Sequence, residues 1–322
     1  MRSDRLSLFS PYIDEMLVFK TSLGFSRHTY EGFLNDFSRF CLLHYPLESS
    51  LTKGLALSWG TKRLTETQSG FRRRLSAVRE FGKYMNAIGI DSYVIPANFT
   101  TGGTLFMPYI FSDRELSAIF DVADSLTANK RTPHRHLILP VLLRLIYFCG
   151  LRPNEGREIK KVDVNLNEGF LFIRKNKSHK ERIVPMSDDM LDLCRSYAEQ
   201  LALFAPKSDY FFPSPDGNLY PAKWLTRQFL EIWNSVKSTQ CSANVRVYDL
   251  RHRFATAVMM QWLDEGADLY AKLPYLSTYM GHAQFTATAY YIHLLPENLI
   301  KSSAVDWASF SALIPDVEPC TF

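Results

Sequence analysis

Between Pro96 and Leu116 the chain loses the helical periodicity it shows on either side. The stretch PANFTTGGTLFMPYIFSDREL holds Pro96, Gly102, Gly103 and Pro108, residues that interrupt helices and open turns. A segment of this kind reads as an interdomain linker, so the chain is expected to fold around two cores. The division puts residues 1–107 in a helical N-terminal domain with its linker, and residues 108–322 in a second domain. At 322 residues both parts can bury a core, and 46% hydrophobic with 22% charged residues excludes the disordered and fibrous classes.

The first part reads as helices. SPYIDEMLVFKTSLGFS opens at Ser10-Pro11, repeats apolar residues every three or four positions and stops near Gly24. SRHTYEGFLNDFSRFCLLHY makes a second helix that ends before Pro46. A third runs from about Gln68 to Ala87. Its apolar stripe is Phe71, Leu75, Val78, Phe81 and Met85, and Arg72, Arg73, Arg74, Arg79 and Lys83 stand against Glu80. A basic helix face is either a solvated surface or a phosphate-binding one, because each Lys or Arg set against a duplex releases condensed counterions.

The second part opens on SDRE, where Ser112 and Glu115 have the spacing of a capping box. An apolar helix, LILPVLLRLIYFCG, ends at Gly150. FLFIR and RIVPM, rich in β-branched and aromatic residues, flank the polar turn KNKSHKE and predict a small antiparallel hairpin. More helices follow. The expected fold is mainly α with a small antiparallel β-sheet.

Several classes are excluded early. The start MRSDRLSLFSPYIDEM lacks the apolar run of a signal peptide, and LILPVLLRLIYFCGL is short and carries Pro140 and Arg144. A soluble, cytoplasmic protein is expected. Cys41, Cys149, Cys194, Cys241 and Cys320 are odd in number and widely spaced, with no metal-ligand pairing, so they read as reduced thiols. A net charge of +4 and a pI of about 8.7 do not announce a nucleic-acid binder, which leaves local clustering to do so.

Four short pieces supply that clustering. GLRPNEG puts Arg152 in a corner between two helices: Gly150 ends one, Pro153 suits the first turn of the next, and Glu155 lies close enough to orient the arginine. KNKSHKERIVP carries Lys175, Lys177, Lys180 and Arg182 at the hairpin tip, where lysines also serve solubility alone. YDLRHRFATA sets Tyr248 and Arg251 three apart on one helix face among core-forming neighbours. Desolvating that guanidinium requires an anionic partner, either a nearby carboxylate or something that is not protein. YMGHAQFTATAYYIHL offers Gly281-His282 and, nine residues beyond His282, the second of the tyrosines Tyr290 and Tyr291.

In this order and spacing the pieces resemble the tyrosine recombinase (lambda integrase, phage integrase) family. Its catalytic domain carries an arginine in a GLR corner, a lysine in a β-hairpin, an HxxR motif, a GH motif and a terminal tyrosine. KERIVP is similar to the strand after the hairpin lysine, LRHRFAT to the second arginine box, and the step from His282 to Tyr291 to the histidine-to-nucleophile step. The resemblance spans about Ser112 to Leu295, and the basic helical N-terminal part is similar to the family's core-binding, DNA-binding domain. It departs in two places. Tyr248 stands where HxxR has histidine, and AKLPYLSTYMG, with Pro274, stretches the family spacing by about four residues.

Carried over position by position, the resemblance implies Arg152 and Arg251 as the arginine pair, Lys177 as the hairpin lysine, His282 as the later histidine and Tyr291 as the nucleophile. Tyr248 keeps a positioning role, and Glu155 and His252 lend support. Arg72, Arg73, Arg74, Arg79 and Lys83, with Lys175 and Lys180, become DNA contacts. Two guanidiniums suit a phosphoryl transition state because they stay charged and bind phosphate through paired N–H groups; on this reading Arg251's missing partner is a phosphate that arrives with DNA. A phenol, with a reference pKa near 10, needs a base or a positive field to attack, and His252, His282 or the arginines supply it. Lys177 suits protonation of the departing 5′-oxygen.

Implied too are a 3′-phosphotyrosyl intermediate, no metal or other cofactor, double-stranded DNA with specific recombination sites, and a homotetramer on that DNA, with a directionality factor or second recombinase as further partners and no membrane. An integrase, a transposon recombinase of a mobile element and a chromosome-resolution enzyme all satisfy this reading. A type IB topoisomerase shares the chemistry, and a non-catalytic DNA-binding relative would use the arginines for phosphate contact alone. Tyr290 is the rival nucleophile. Beyond His293, SSAVDWASFSALIP either docks on its own domain or packs into a neighbouring protomer.

Overall fold

The computed structural model describes residues 7–99, 107–174, 181–239, 241–282 and 284–295. The chain divides at Phe106 and Met107 into two compact units. Among the described residues the fold is mainly helical with one small antiparallel sheet.

The first unit holds α1 (Ser10–Ser22), α2 (His28–His44), α3 (Lys53–Trp59) and α4 (Gln68–Ala87). The short α3 falls between the second and third expected helices. It starts because the Thr52 hydroxyl accepts the Leu55 amide N–H at 3.3 Å, as Thr67 does for Gly70 at the start of α4. The core is aromatic: Phe37 of α2 lies 5.7 Å from Phe9, 5.4 Å from Trp59 and 6.1 Å from Phe81, ring centre to ring centre.

The expected basic face of α4 needs a correction here. Arg74 is only 2% exposed and is bonded to both carboxylate oxygens of Glu66, at 2.7 and 2.8 Å, and to the carbonyls of Trp59 and Thr61. It also lies over the Trp59 ring at 4.8 Å. A guanidinium so occupied stitches α4 to the end of α3 and is not presented to a phosphate. Arg79 is turned to the chain leaving the unit, donating to the carbonyls of Ile95 and Pro96 at 2.6 and 2.8 Å. Lys83 is exposed and pairs with Glu80 at 2.9 Å, while Arg72 and Arg73 are exposed.

The second unit is built around α6 (Arg135–Phe148), whose Ile138, Leu139, Leu142, Leu143, Leu145 and Ile146 are all buried. Packed on it are α5 (Asp113–Asp124), α7 (Pro153–Glu158), α8 (Asp188–Phe204) and α10 (Asp249–Asp264), with α9 (Ala222–Val236) against α5. The capping box at the start of α5 forms, Ser112 and Glu115 each bonding the other's backbone N–H. The sheet runs β1 (Val164–Asn165), β2 (Phe170–Ile173), β3 (Arg182–Pro185) in that order, with Leu171 opposite Val184 and Ile173 opposite Arg182. Strand alternation turns Leu171, Ile173 and Val184 to the core and leaves Ile183 outside. Arg182, two residues from Val184, therefore shares the inner face.

A third cluster joins α10, α11 (Leu269–Met280), α12 (Thr286–Ala289) and the 3₁₀ turn Tyr290–Leu294 through Ala255, Met259, Leu273, Met280, Ile292 and Leu295. The AKLPYLSTYMG stretch folds as part of α11, with Pro274 inside the helix. Among the described residues no helix is long and apolar enough to cross a membrane.

Candidate active site

The corner after α6 forms as the sequence requires. Gly150 has φ of 58°, and a Cβ there would meet the Phe254 ring at 2.5 Å, so both conformation and space demand glycine. Arg152 is extended and caps α7 ahead of Pro153. Glu155 accepts the Arg152 backbone N–H at 2.9 Å and its Nη1 at 2.6 Å.

Glu155 also takes both Nη groups of Arg182, at 3.0 and 2.7 Å, and lies 3.9 Å from Arg251. Three guanidiniums thus surround one carboxylate that is 7% exposed. Burial alone would raise its pKa, but the hydrogen bonds and charge of Arg182, then those of Arg152, hold it down at about 2.

The C-terminus of α11 is the other anchor. Gly281 adopts the left-handed conformation at φ 64°, its N–H reaches Thr278 O at 3.0 Å, and the His282 N–H reaches Ser277 O at 3.0 Å. This is a Schellman ending, and it explains the glycine-histidine pair: glycine turns the chain and histidine is delivered just beyond the turn. Three successive carbonyls exposed by that ending each accept from a different arginine. Tyr279 O takes Arg182 Nε at 2.8 Å, Met280 O takes Arg251 Nη2 at 2.7 Å and Gly281 O takes Arg152 Nη2 at 2.7 Å. The negative end of the helix and Glu155 therefore hold the arginines in a fixed array.

Arg251 is 0% exposed and donates as well to Gly150 O at 2.6 Å. Its partners are thus two main-chain carbonyls, with Glu155 beyond, which corrects the expectation that its partner is supplied only by DNA. Its Nε is buried, and the guanidinium also lies close enough to the Tyr291 hydroxyl to lower that phenol's pKa through a hydrogen bond. Burial, then the charge of Arg152, lowers its pKa, with tyrosines and Glu155 opposing.

His282 Nε2 lies 3.1 Å from Arg251 Nη2, and its Nδ1 lies 2.6 Å from the Thr288 hydroxyl. A guanidinium only donates, so Nε2 accepts and Nδ1 carries the hydrogen. Burial, followed by Arg251 and Arg152, drives the His282 pKa to about 3. His252 is also neutral at pH 7, its pKa lowered to about 4 by burial and then by Arg246 and Arg251.

The Tyr291 hydroxyl stands 3.2 Å from His252 Nδ1, and the ring lies nearly parallel to that of His282, 6.1 Å away. Tyr291 is 2% exposed. Burial raises its pKa to about 12, while the charges of Arg251 and Arg152 pull the other way. Tyr290 sees different charges, those of Arg246 and Asp249. Tyr248 sits at the head of α10 with its ring 5.0 Å from that of His252. With Arg152, Glu155, Phe172 and Arg174 it lines an open cleft of about 480 Å³.

The structure thus brings together Arg152, Glu155, Tyr248, Arg251, His252, His282 and Tyr291. Lys175, Lys177 and Lys180 lie outside the described residues, as does SSAVDWASFSALIP. Sequence reasoning grouped Arg182 with the hairpin-tip lysines, although the alternation of RIVP already sets it on the face of Val184. It also passed over Asp249 and Thr288. Among the described residues no group of three or more His, Cys, Asp or Glu side chains is arranged to hold a metal ion.

The chain is similar to known proteins in sequence and in fold. The model of the phage integrase family matches residues 111–298. A chain of Sinorhizobium fredii that bears the name integrase/recombinase y4rE is 30% identical over 288 residues, covering 87% of this chain and 90% of its own length. The tyrosine recombinase XerC of Staphylococcus carnosus is 27% identical over 303 residues, covering 89% and 93%. Among solved structures, the XerH site-specific recombinase bound to its palindromic difH substrate superposes with a TM-score of 0.66 at 19% identity, over 88% of this chain and 80% of that one.

Proposed function

The chain belongs to the phage integrase family, the tyrosine recombinases, and from that premise we infer that it is a site-specific DNA recombinase using Tyr291 as its nucleophile. The observation that carries the assignment is that Arg152, Arg251 and His282 gather at the C-terminus of α11 while the Tyr291 hydroxyl stands beside His252 and in the field of both arginines.

In this reading a phosphate of duplex DNA docks against Arg152, whose side chain is the more exposed of the pair, within the field of the buried Arg251. The guanidiniums then offset charge on the nonbridging oxygens as phosphorus becomes pentacoordinate. Because Glu155 and the α11 carbonyls already orient them, little reorganisation is left for the transition state. Tyr291 oxygen bonds to phosphorus and the bond to the 5′-oxygen breaks. Lys177 is assigned the proton donated to that oxygen, and Tyr248, lining the cleft beside Arg152, is assigned a hydrogen bond to a nonbridging oxygen. The 3′-phosphotyrosyl ester conserves the bond energy, so attack by a 5′-hydroxyl from the partner duplex rejoins the strand without ATP.

Exchange between two duplexes engages four such sites, which makes a homotetramer on paired recombination sites the working assembly. Arg72 and Arg73, on the exposed side of α4, are assigned phosphate contacts by the first unit.

The test is incubation with a nicked suicide substrate cut from the flanks of the gene. A covalent protein-DNA band that disappears in Tyr291→Phe is expected, and a band that persists would remove Tyr291 from the reaction. Relaxation of plasmids that lack any paired site would move the chain to the topoisomerase class.

A further inference from the structure

Attack by Tyr291 on phosphorus requires a group that takes the phenolic proton. His282 has no site to spare, since Nδ1–H is spent on Thr288 and the Nε2 lone pair on Arg251. Tyr248 is a phenol and a poor base at neutral pH.

His252 is placed differently. It lies one helical turn after Asp249 on α10, so both side chains leave the same face. Its Nδ1 points at the Tyr291 hydroxyl at 3.2 Å, and its Nε2 faces Asp249 Oδ1 at 3.9 Å. Asp249 is 0% exposed and fixed by the Arg246 backbone N–H at 2.8 Å and Arg246 Nη2 at 3.1 Å. At 3.9 Å the carboxylate is an electrostatic neighbour of Nε2 and not its hydrogen-bond acceptor, but its charge favours the tautomer with the hydrogen on that nitrogen, which leaves the Nδ1 lone pair toward the phenol.

We propose that Asp249, His252 and Tyr291 form a proton relay in which His252 Nδ1 takes the phenolic proton as the Tyr291 oxygen bonds to phosphorus. Asp249 orients the ring and offsets the imidazolium that forms, the part a buried carboxylate plays behind a histidine base. On rejoining, the same proton returns from Nδ1 to the phenol oxygen as the phosphotyrosyl bond breaks. His252 is a catalytic residue in this scheme and Asp249 a positioning residue. The relay gives the chain its base where the family's HxxR histidine is replaced by Tyr248.

The charged and titratable groups around His252 act in both directions. Arg246, before α10, and Arg251, within it, oppose the imidazolium; Asp249, whose own pKa is raised by burial, faces it from 3.9 Å with the opposite charge; Tyr248, Tyr291 and His282 complete its surroundings. A phosphate docked at Arg152 brings negative charge near the arginine pair and offsets part of the field that opposes the imidazolium, so the base becomes stronger when substrate arrives.

The proposal rests on Tyr291 being the nucleophile, and the experiment separates the two. Single-turnover formation of the covalent adduct on the nicked substrate is measured from pH 6 to 10 for the parent, His252→Gln and Asp249→Asn. Each is then repeated with a fluorinated tyrosine of low pKa installed at 291. His252→Gln is expected to slow adduct formation by about 10²–10⁴-fold at neutral pH, the range of a lost general base, and to make the rate climb steadily with pH. The fluorinated phenol, which needs less help to ionise, is expected to restore most of that loss. Asp249→Asn is expected to lose less and to add little when combined with His252→Gln. A parent-like rate and pH profile in His252→Gln overturns the relay, and so does a slow variant that the fluorinated phenol leaves unrescued. If the parent itself forms no adduct, it is the recombinase reading that fails.

Discussion

Glu155→Gln removes one charge from the point where three guanidiniums meet and keeps the shape of the side chain. The carboxylate is held at about 2 against its ordinary 4.5, which by linkage corresponds to about 3 kcal/mol of stability at neutral pH. Stranding buried Arg182 and Arg251 without their counter-charge is the same loss seen from the other side, and breaking a buried pair typically costs about 3–5 kcal/mol. The two routes agree, so a loss of about 3–4 kcal/mol is expected at pH 7. Because the folded pKa is depressed, this contribution is present above pH 4.5 and fades as pH falls through 2. The difference between parent and variant should therefore narrow over that window. Hydrogen exchange of the full chain in graded urea, read on peptides from α7, β3 and α11, reports it locally. A variant within about 1 kcal/mol of the parent at pH 7, or a difference that does not change with acid, would refute the idea that Glu155 holds the arginine array together.

Other expectations follow from the same structure. Gly150→Ala forces a Cβ into the Phe254 ring in a left-handed conformation, so a loss of at least about 1–3 kcal/mol is expected by urea unfolding, with cleavage falling in parallel. Arg72→Ala and Arg73→Ala should each weaken DNA binding and lower the salt dependence of log K by about one unit, whereas Arg74→Met should destabilise the first unit; calorimetry and salt titration distinguish them. Cys41, Cys149 and Cys194 are buried with pKa values raised to about 12 by desolvation, so a thiol reagent should leave them unmodified until the protein unfolds. His252 and His282 have folded pKa values near 4 and 3 against an ordinary 6.5, so the unfolded chain binds more protons below pH 6.5. Their contribution to stability is present above that pH and lost as it falls, and ¹⁵N NMR of the imidazoles should show both neutral at pH 6.

Much of the fold could be read in advance because it rests on local chemistry. The helix from Gln68 to Ala87, the capping box at Ser112, the FLFIR and RIVPM hairpin and the Arg152 corner with Glu155 each depend on spacing over a few residues. What escaped depends on tertiary neighbours. Arg74 looks like any other basic residue of its helix until Glu66 and the Trp59 ring enclose it. Arg182 belongs to a lysine-rich stretch until the strand turns it under the sheet toward Glu155. The partners of Arg251 are main-chain carbonyls contributed by Gly150 and Met280, and nothing in a side-chain pattern announces a carbonyl.

The most direct measurement is the mass of the peptide that carries the nucleotide after the DNA adduct is trapped and digested. The account predicts a phosphodiester on the Tyr291 oxygen; a modification on Tyr290, or on any residue outside the arginine array, would contradict it.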